Sequence, residues 1–122
     1  MLHKKYSNQI LEHFHNPKNV GKLHDSTNIG KAGTKKNGEI VELQIKIENN
    51  VITDVKFMAY GGVVLIAAMS FVTEWLKGKT KEEAMALTED NIMQALDVPL
   101  TKKHAVLLVI EAVKTTIDYI TT

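Results

Sequence analysis

Ile40-Val41-Glu42-Leu43-Gln44-Ile45-Lys46-Ile47-Glu48, then Asn49-Asn50, then Val51-Ile52-Thr53-Asp54-Val55-Lys56-Phe57-Met58-Ala59-Tyr60 closed by Gly61-Gly62, is the stretch that decides the fold. In its first limb Val41, Leu43, Ile45 and Ile47 alternate with Glu42, Gln44, Lys46 and Glu48, the period of two that puts one strand face in a core and the other in water. Asn49-Asn50 reverses the chain. The second limb offers Val51, Val55, Phe57 and Ala59 inward and Asp54 and Lys56 outward, so the expectation is an antiparallel hairpin.

Outward from the hairpin the period changes. Tyr6, Ile10, Leu11 and Phe14 recur at helical spacing, and Asn16-Pro17 ends that helix because proline disfavours helical geometry in the residue before it. From Val20 to Gly38 the chain is rich in Gly, Lys, Asn and Thr and reads as loop or an irregular edge strand leading into an Asn37-Gly38 turn. After Gly62 a helical run extends to a stop at Gly78, and Thr80 with Glu83 forms a capping-box signature. Short helices are expected at about 80–87 and 89–96. Past Pro99 a final amphipathic helix from Lys103 to Tyr119 offers Leu107, Leu108, Ile110, Ala112, Val113 and Ile117 to a core. The expected class is α+β: an N-terminal helix, a small antiparallel sheet of about three strands, and C-terminal helices packed on one sheet face. The 122 residues suit one domain, and no repeat or linker divides them.

Fifteen basic and fourteen acidic residues leave a formal net charge of +1, so no global field draws the chain to nucleic acid or an anionic membrane. No apolar run approaches the roughly 20 residues of a membrane span, and the start lacks the uninterrupted apolar core of a signal peptide, so a cytoplasmic protein is expected. The chain has no cysteine, which excludes disulfides, thiolate nucleophiles, zinc–thiolate sites and persulfide relay. No P-loop, dinucleotide fingerprint or serine-nucleophile signature is present, so the chain is not expected to be an enzyme.

Tyr6-Ser7, Ile10-Leu11-Glu12-His13-Phe14 and Asn16-Pro17-Lys18-Asn19-Val20-Gly21 together resemble the opening of the U-type iron–sulfur scaffold family, IscU and the N-terminal domain of NifU. The likeness continues through Asn37-Gly38-Glu39, Phe57, Gly61, Glu74-Trp75-Leu76-Lys77-Gly78-Lys79-Thr80, Glu83-Ala84 and His104. It implies a helix, a three-stranded antiparallel sheet and a helical C-terminal half over residues 1–122. It also implies a role in iron–sulfur cluster assembly, with iron, a [2Fe–2S] cluster or zinc held by three cysteines, an aspartate and a histidine from three segments. On this resemblance the family's Cys-Gly-Asp segment falls on Asn37-Gly38-Glu39, Gly-Cys-Gly on Gly61-Gly62-Val63, and His-Cys on His104-Ala105. The cysteine positions are thus Asn37, Gly62 and Ala105, and only the histidine is kept.

What remains for a metal is Glu39 and His104, with the Asn37 amide as a poor third donor, against the three or four good ligands of a stable zinc site. No tightly bound cofactor is expected. Weak Fe(II) or Zn(II) binding through Glu39 and His104 is the alternative. His13 and His15 lie about 200° apart on a helix and do not share a ligand face; His3 and His24 read as surface residues. Val63, Val64, Leu65 and Val106 are apolar where the ligand shell would lie, and three successive helical residues cannot all enter one narrow seam. They are expected to form an apolar contact patch. Possible partners are a second copy, a cysteine-bearing scaffold or a cysteine desulfurase. Val98-Pro99-Leu100-Thr101-Lys102 occupies the place of the family's Leu-Pro-Pro-Val-Lys chaperone motif, keeps one Pro and the Lys, and reads as an interhelical loop.

Overall fold

The computed structural model describes residues 6–118. The elements follow in the order α1 (Asn8–His15), β1 (Asn28–Thr34), β2 (Glu39–Glu48), β3 (Val51–Tyr60), α2 (Val63–Leu76), α3 (Lys81–Met85), α4 (Glu89–Leu96) and α5 (Lys103–Asp118), with 3-10 turns at Lys35–Asn37 and Leu100–Lys102. The sheet is antiparallel in the order β1-β2-β3. This is the α+β arrangement the sequence implies. Tyr119, placed at the end of the last helix by periodicity, and His3 lie outside the described residues.

The hairpin forms as its alternation dictates, with Val41, Leu43, Ile45, Val55 and Phe57 essentially inaccessible. One inward assignment is corrected. Lys46 faces Asp54 but Ile47 faces Ile52, so Thr53 is an extra residue in β3. A bulge of this kind reverses the in/out parity beyond it, so Ile52 is buried and Val51 stays at the margin. Asn49 and Asn50 both take positive φ, the left-handed geometry that a tight hairpin turn asks of its central residues.

The 28–34 segment is a regular edge strand whose core-facing residues are Asn28, Gly30 and Ala32, the last two small where α5 packs. A Cβ on Gly30 would stand 2.2 Å from Thr116 Oγ1 and 2.8 Å from Thr116 Cα, so α5 lies directly on β1. Asn28 donates from Nδ2 to Thr116 O at 2.8 Å and so ties β1 to α5 a second time.

Helix α2 is buried at nine of its fourteen positions, as befits a helix apolar on nearly every side and set at the centre of the core. α3 starts on the expected capping box: Glu83 N donates to Thr80 Oγ1 at 3.1 Å, and Thr80 N donates to Glu83 Oε1 at 2.9 Å. α5 buries Ala105, Val106, Val109, Ala112, Val113, Thr116 and Ile117, an unbroken helical stripe. Leu107 falls off that stripe and is 48% exposed, which corrects its assignment to the core.

Candidate functional site

Three segments meet at one end of the molecule, and Glu39 joins them. The 3-10 turn at Lys35–Asn37 is capped by Thr34, whose Oγ1 accepts from Asn37 N at 3.2 Å, and Gly38 at φ 77° turns the chain into β2. Glu39 is therefore the first residue of the strand, set against the second segment. A Cβ on Gly61 would come within 3.3 Å of Glu39 Cγ. The third segment brings His104, in the first turn of α5, to 3.8 Å between its Nε2 and Glu39 Oε1. That separation is too long for a hydrogen bond. A concavity of about 510 Å³ lies between them, lined by Gly33, Asn37, Glu39, His104 and Leu108.

The structure thus brings Asn37, Glu39 and His104 together. Gly62 and Ala105 do not line the concavity. Gly62 is the N-cap of α2 with no side-chain cap bond, and a Cβ there would meet nothing within 4 Å. Ala105 is turned into the core at 2% exposure.

The donor set is one carboxylate, one imidazole and one amide. No group of three His, Asp or Glu side chains able to hold a metal occurs among the described residues. A thiolate-ligated cluster does not fit these residues, because Asn37, Gly62 and Ala105 supply no sulfur at the three thiol positions.

The expected apolar contact patch is corrected. Val64 at 3% exposure, Leu65 at 0% and Val106 at 0% are core residues, and Val63 alone of the four is partly exposed. The geometric reason is the depth of α2, which is wrapped by α1, β3 and α5 and needs apolar residues on several sides.

The histidines separate as expected. His13 faces α2, whereas His15 is exposed and meets Phe14 edge-on at 5.3 Å. His13 Nδ1 lies 2.7 Å from Ser70 Oγ, and that oxygen also accepts from Lys18 N at 2.8 Å. Sequence reasoning missed this link; its signal is a lone serine within the apolar run of α2. In the 98–102 segment Val98 is buried, and Leu100 is 81% exposed on a 3-10 turn.

A sequence profile of the NifU-like N terminal domain matches residues 5–121. The chain belongs to that family. It is 40% identical over 119 residues to the iron–sulfur cluster assembly scaffold protein IscU of Haemophilus influenzae, covering 93% of this chain and 94% of that protein. It is 38% identical over 119 residues to the scaffold protein IscU of Escherichia coli K12, with 93% of each chain covered. Archaeoglobus fulgidus IscU 1 is 40% identical over 116 residues, which cover 93% of this chain and 76% of that protein.

Among solved structures, the fold is similar to a protein described as an iron–sulfur cluster assembly scaffold for the SUF system from Fervidobacterium islandicum AW-1. The TM-score is 0.77 at 22% identity, over 94% of this chain and 98% of that one. The N-terminal part of a NifU-like protein from Brucella abortus gives a TM-score of 0.75 at 19% identity, over 93% and 92% of the two chains. At such identities the two structures speak for the fold alone.

Proposed function

We propose that this member of the iron–sulfur cluster assembly scaffold family acts in that pathway by binding a partner, without itself holding a thiolate-ligated cluster. The observation that carries the reading is the donor set at the tip. Glu39 and His104 are in place 3.8 Å apart, while Asn37, Gly62 and Ala105 offer no thiolate. With no thiol to carry persulfide, the chain is read as non-enzymatic and regulatory, in the cytoplasm with the other assembly proteins. A cysteine-bearing U-type scaffold or a cysteine desulfurase is the partner class that this role implies.

The test is native mass spectrometry of the chain mixed with the cysteine-bearing scaffold and the cysteine desulfurase of the same organism. A complex of defined stoichiometry with either protein is the expected result. A chain that stays alone in both mixtures overturns the reading.

The approach of His104 to Glu39 favours a second reading, a weak Fe(II) or Zn(II) carrier in which water completes the coordination shell. Calorimetric titration with Zn(II) at neutral pH separates the two. Heats lost in His104→Ala support the carrier, and equal heats from both proteins remove it.

A further inference from the structure

The asparagines of the chain differ in how firmly their amides are held. Asn19 donates to Glu74, Asn28 to Thr116 O and Asn50 to Glu82, while Asn91 accepts from Thr88 N. Asn16 donates to Glu12 and precedes Pro17, which has no N–H. Asn37 alone precedes a glycine, and its carboxamide makes no hydrogen bond among the described residues.

An asparagine carboxamide is open to attack by the backbone nitrogen of the next residue, which closes a five-membered imide. Glycine leaves that nitrogen unshielded, because it has no Cβ. Asn37 and Gly38 are both exposed, and a Cβ on Gly38 would meet nothing within 4 Å, so the surroundings leave room for the ring. Asn8 and Asn49 are exposed too, but the side chains of Gln9 and Asn50 screen the nitrogen that follows each. The turn itself is the brake. Gly38 N donates to Lys35 O at 3.0 Å, and Asn37 N to Thr34 Oγ1 at 3.2 Å. Attack requires that turn to open, and a 3-10 element of three exposed residues is among the least stable in a fold.

We propose that Asn37 is a self-modifying position, which deamidates through an imide with Gly38 at a rate set by opening of the Thr34-capped turn and gives the tip a second carboxylate. Gly38 N loses its proton to hydroxide and bonds to Asn37 Cγ. The Cγ–Nδ2 bond breaks, and the nitrogen leaves as ammonia with a proton from water. A water molecule then opens the imide. Its addition at the side-chain carbonyl gives aspartate at position 37, and at the backbone carbonyl gives isoaspartate, whose backbone is longer by a methylene. The sum consumes one water, releases one ammonia and moves no electrons. Asn37, Glu39 and His104 line one concavity, so a charged carboxylate replaces a neutral amide beside Glu39 as the protein ages. The proposal rests on neither the partner-binding nor the carrier reading.

The experiment follows the full chain, freshly purified, through incubation at mildly alkaline pH in heavy-oxygen water. Ion-exchange chromatography and intact mass measure the acidic species, and peptide mapping with electron-transfer fragmentation locates it and tells aspartate from isoaspartate. The wild type is expected to accumulate both products at position 37 with one heavy oxygen incorporated. Asn37→Gln is expected to stay unmodified. Thr34→Ala, which loses the cap of the turn, is expected to convert about fivefold faster, the gain in open population that a typical lost cap allows. Thr34→Ser keeps a capping hydroxyl and is expected to convert at the wild-type rate.

A folded wild type that keeps its amide while the urea-unfolded chain loses it overturns the proposal, because the turn then blocks the attack outright. Conversion spread evenly over Asn8, Asn37 and Asn49 overturns it as well. Equal rates in the wild type, Thr34→Ala and Thr34→Ser overturn control by the turn.

Discussion

His13 Nδ1 sits 2.7 Å from Ser70 Oγ, the same oxygen that accepts the Lys18 N–H at 2.8 Å. Ser70 is fully buried, and its hydroxyl, with one hydrogen to give and two lone pairs, serves the Lys18 N–H and the His13 ring together. Burial, and next the charge of Lys18, hold the His13 pKa below its ordinary value of 6.5, against smaller opposing effects of Glu12 and Glu74.

A depressed folded pKa sets the sign of a pH effect: the stabilisation is fully present above 6.5 and is lost as pH falls through the lower folded value. Urea unfolding at pH 7.5 and at pH 5.5 checks this. The wild type is expected to lose stability between the two, and His13→Gln to lose less. Equal losses in both proteins would contradict the assignment. Ser70→Ala strands the Lys18 amide and is expected to cost about 1–3 kcal/mol.

Gly30 should not tolerate a side chain. Any Cβ meets Thr116 backbone and side chain inside 3 Å, so Gly30→Ala must push α5 off β1. A cost of about 1–3 kcal/mol is expected, in the range of overpacked cores. Thermal unfolding measures it, and an unchanged melting temperature would show that the helix does not ride on the strand.

Gly62 is the opposite case. Its φ of −83° is ordinary and a Cβ there meets nothing within 4 Å, so Gly62→Ser is expected to be neutral or to stabilise by a few tenths of a kcal/mol as an N-cap. The same open space receives a thiol. Asn37→Cys and Gly62→Cys are expected to fold, whereas Ala105→Cys enters the core and costs about 1–3 kcal/mol. If thiols are the missing element, the triple variant gains visible cluster absorption on reconstitution. A colourless triple variant would show that the site has lost more than its sulfur ligands.

Val64→Asp places an unpaired carboxylate in the core at a position only 3% exposed. The expected result is loss of the cooperative unfolding transition, because an uncompensated buried charge costs several kcal/mol. A folded Val64→Asp protein would show that α2 presents this residue to solvent.

The hairpin was legible because Val41, Leu43 and Ile45 alternate with polar residues, and the fold class followed from it. The parity change at Thr53 was not, since one extra residue leaves no compositional mark in a strand already rich in Val and Ile. β1 hid for a related reason. Gly30 and Ala32 are small to admit α5, and small residues carry the weakest strand signal. In α5, Leu107 and Val109 are equally apolar, and only the packing decides that Val109 enters the core and Leu107 does not. At the site, Glu39 and His104 were found through family likeness; their approach across three segments is a tertiary fact. The exposed Met58 and Tyr60 went unread because a strand that is apolar on both faces does not say which face is covered.

The central claim is that the tip cannot hold a thiolate-type cluster. Its most direct test is native mass spectrometry of the wild-type chain after anaerobic incubation with Fe(II), sulfide and a reductant, followed by desalting. The expected result is the mass of the metal-free chain. A retained iron–sulfur species that disappears in His104→Ala would contradict it.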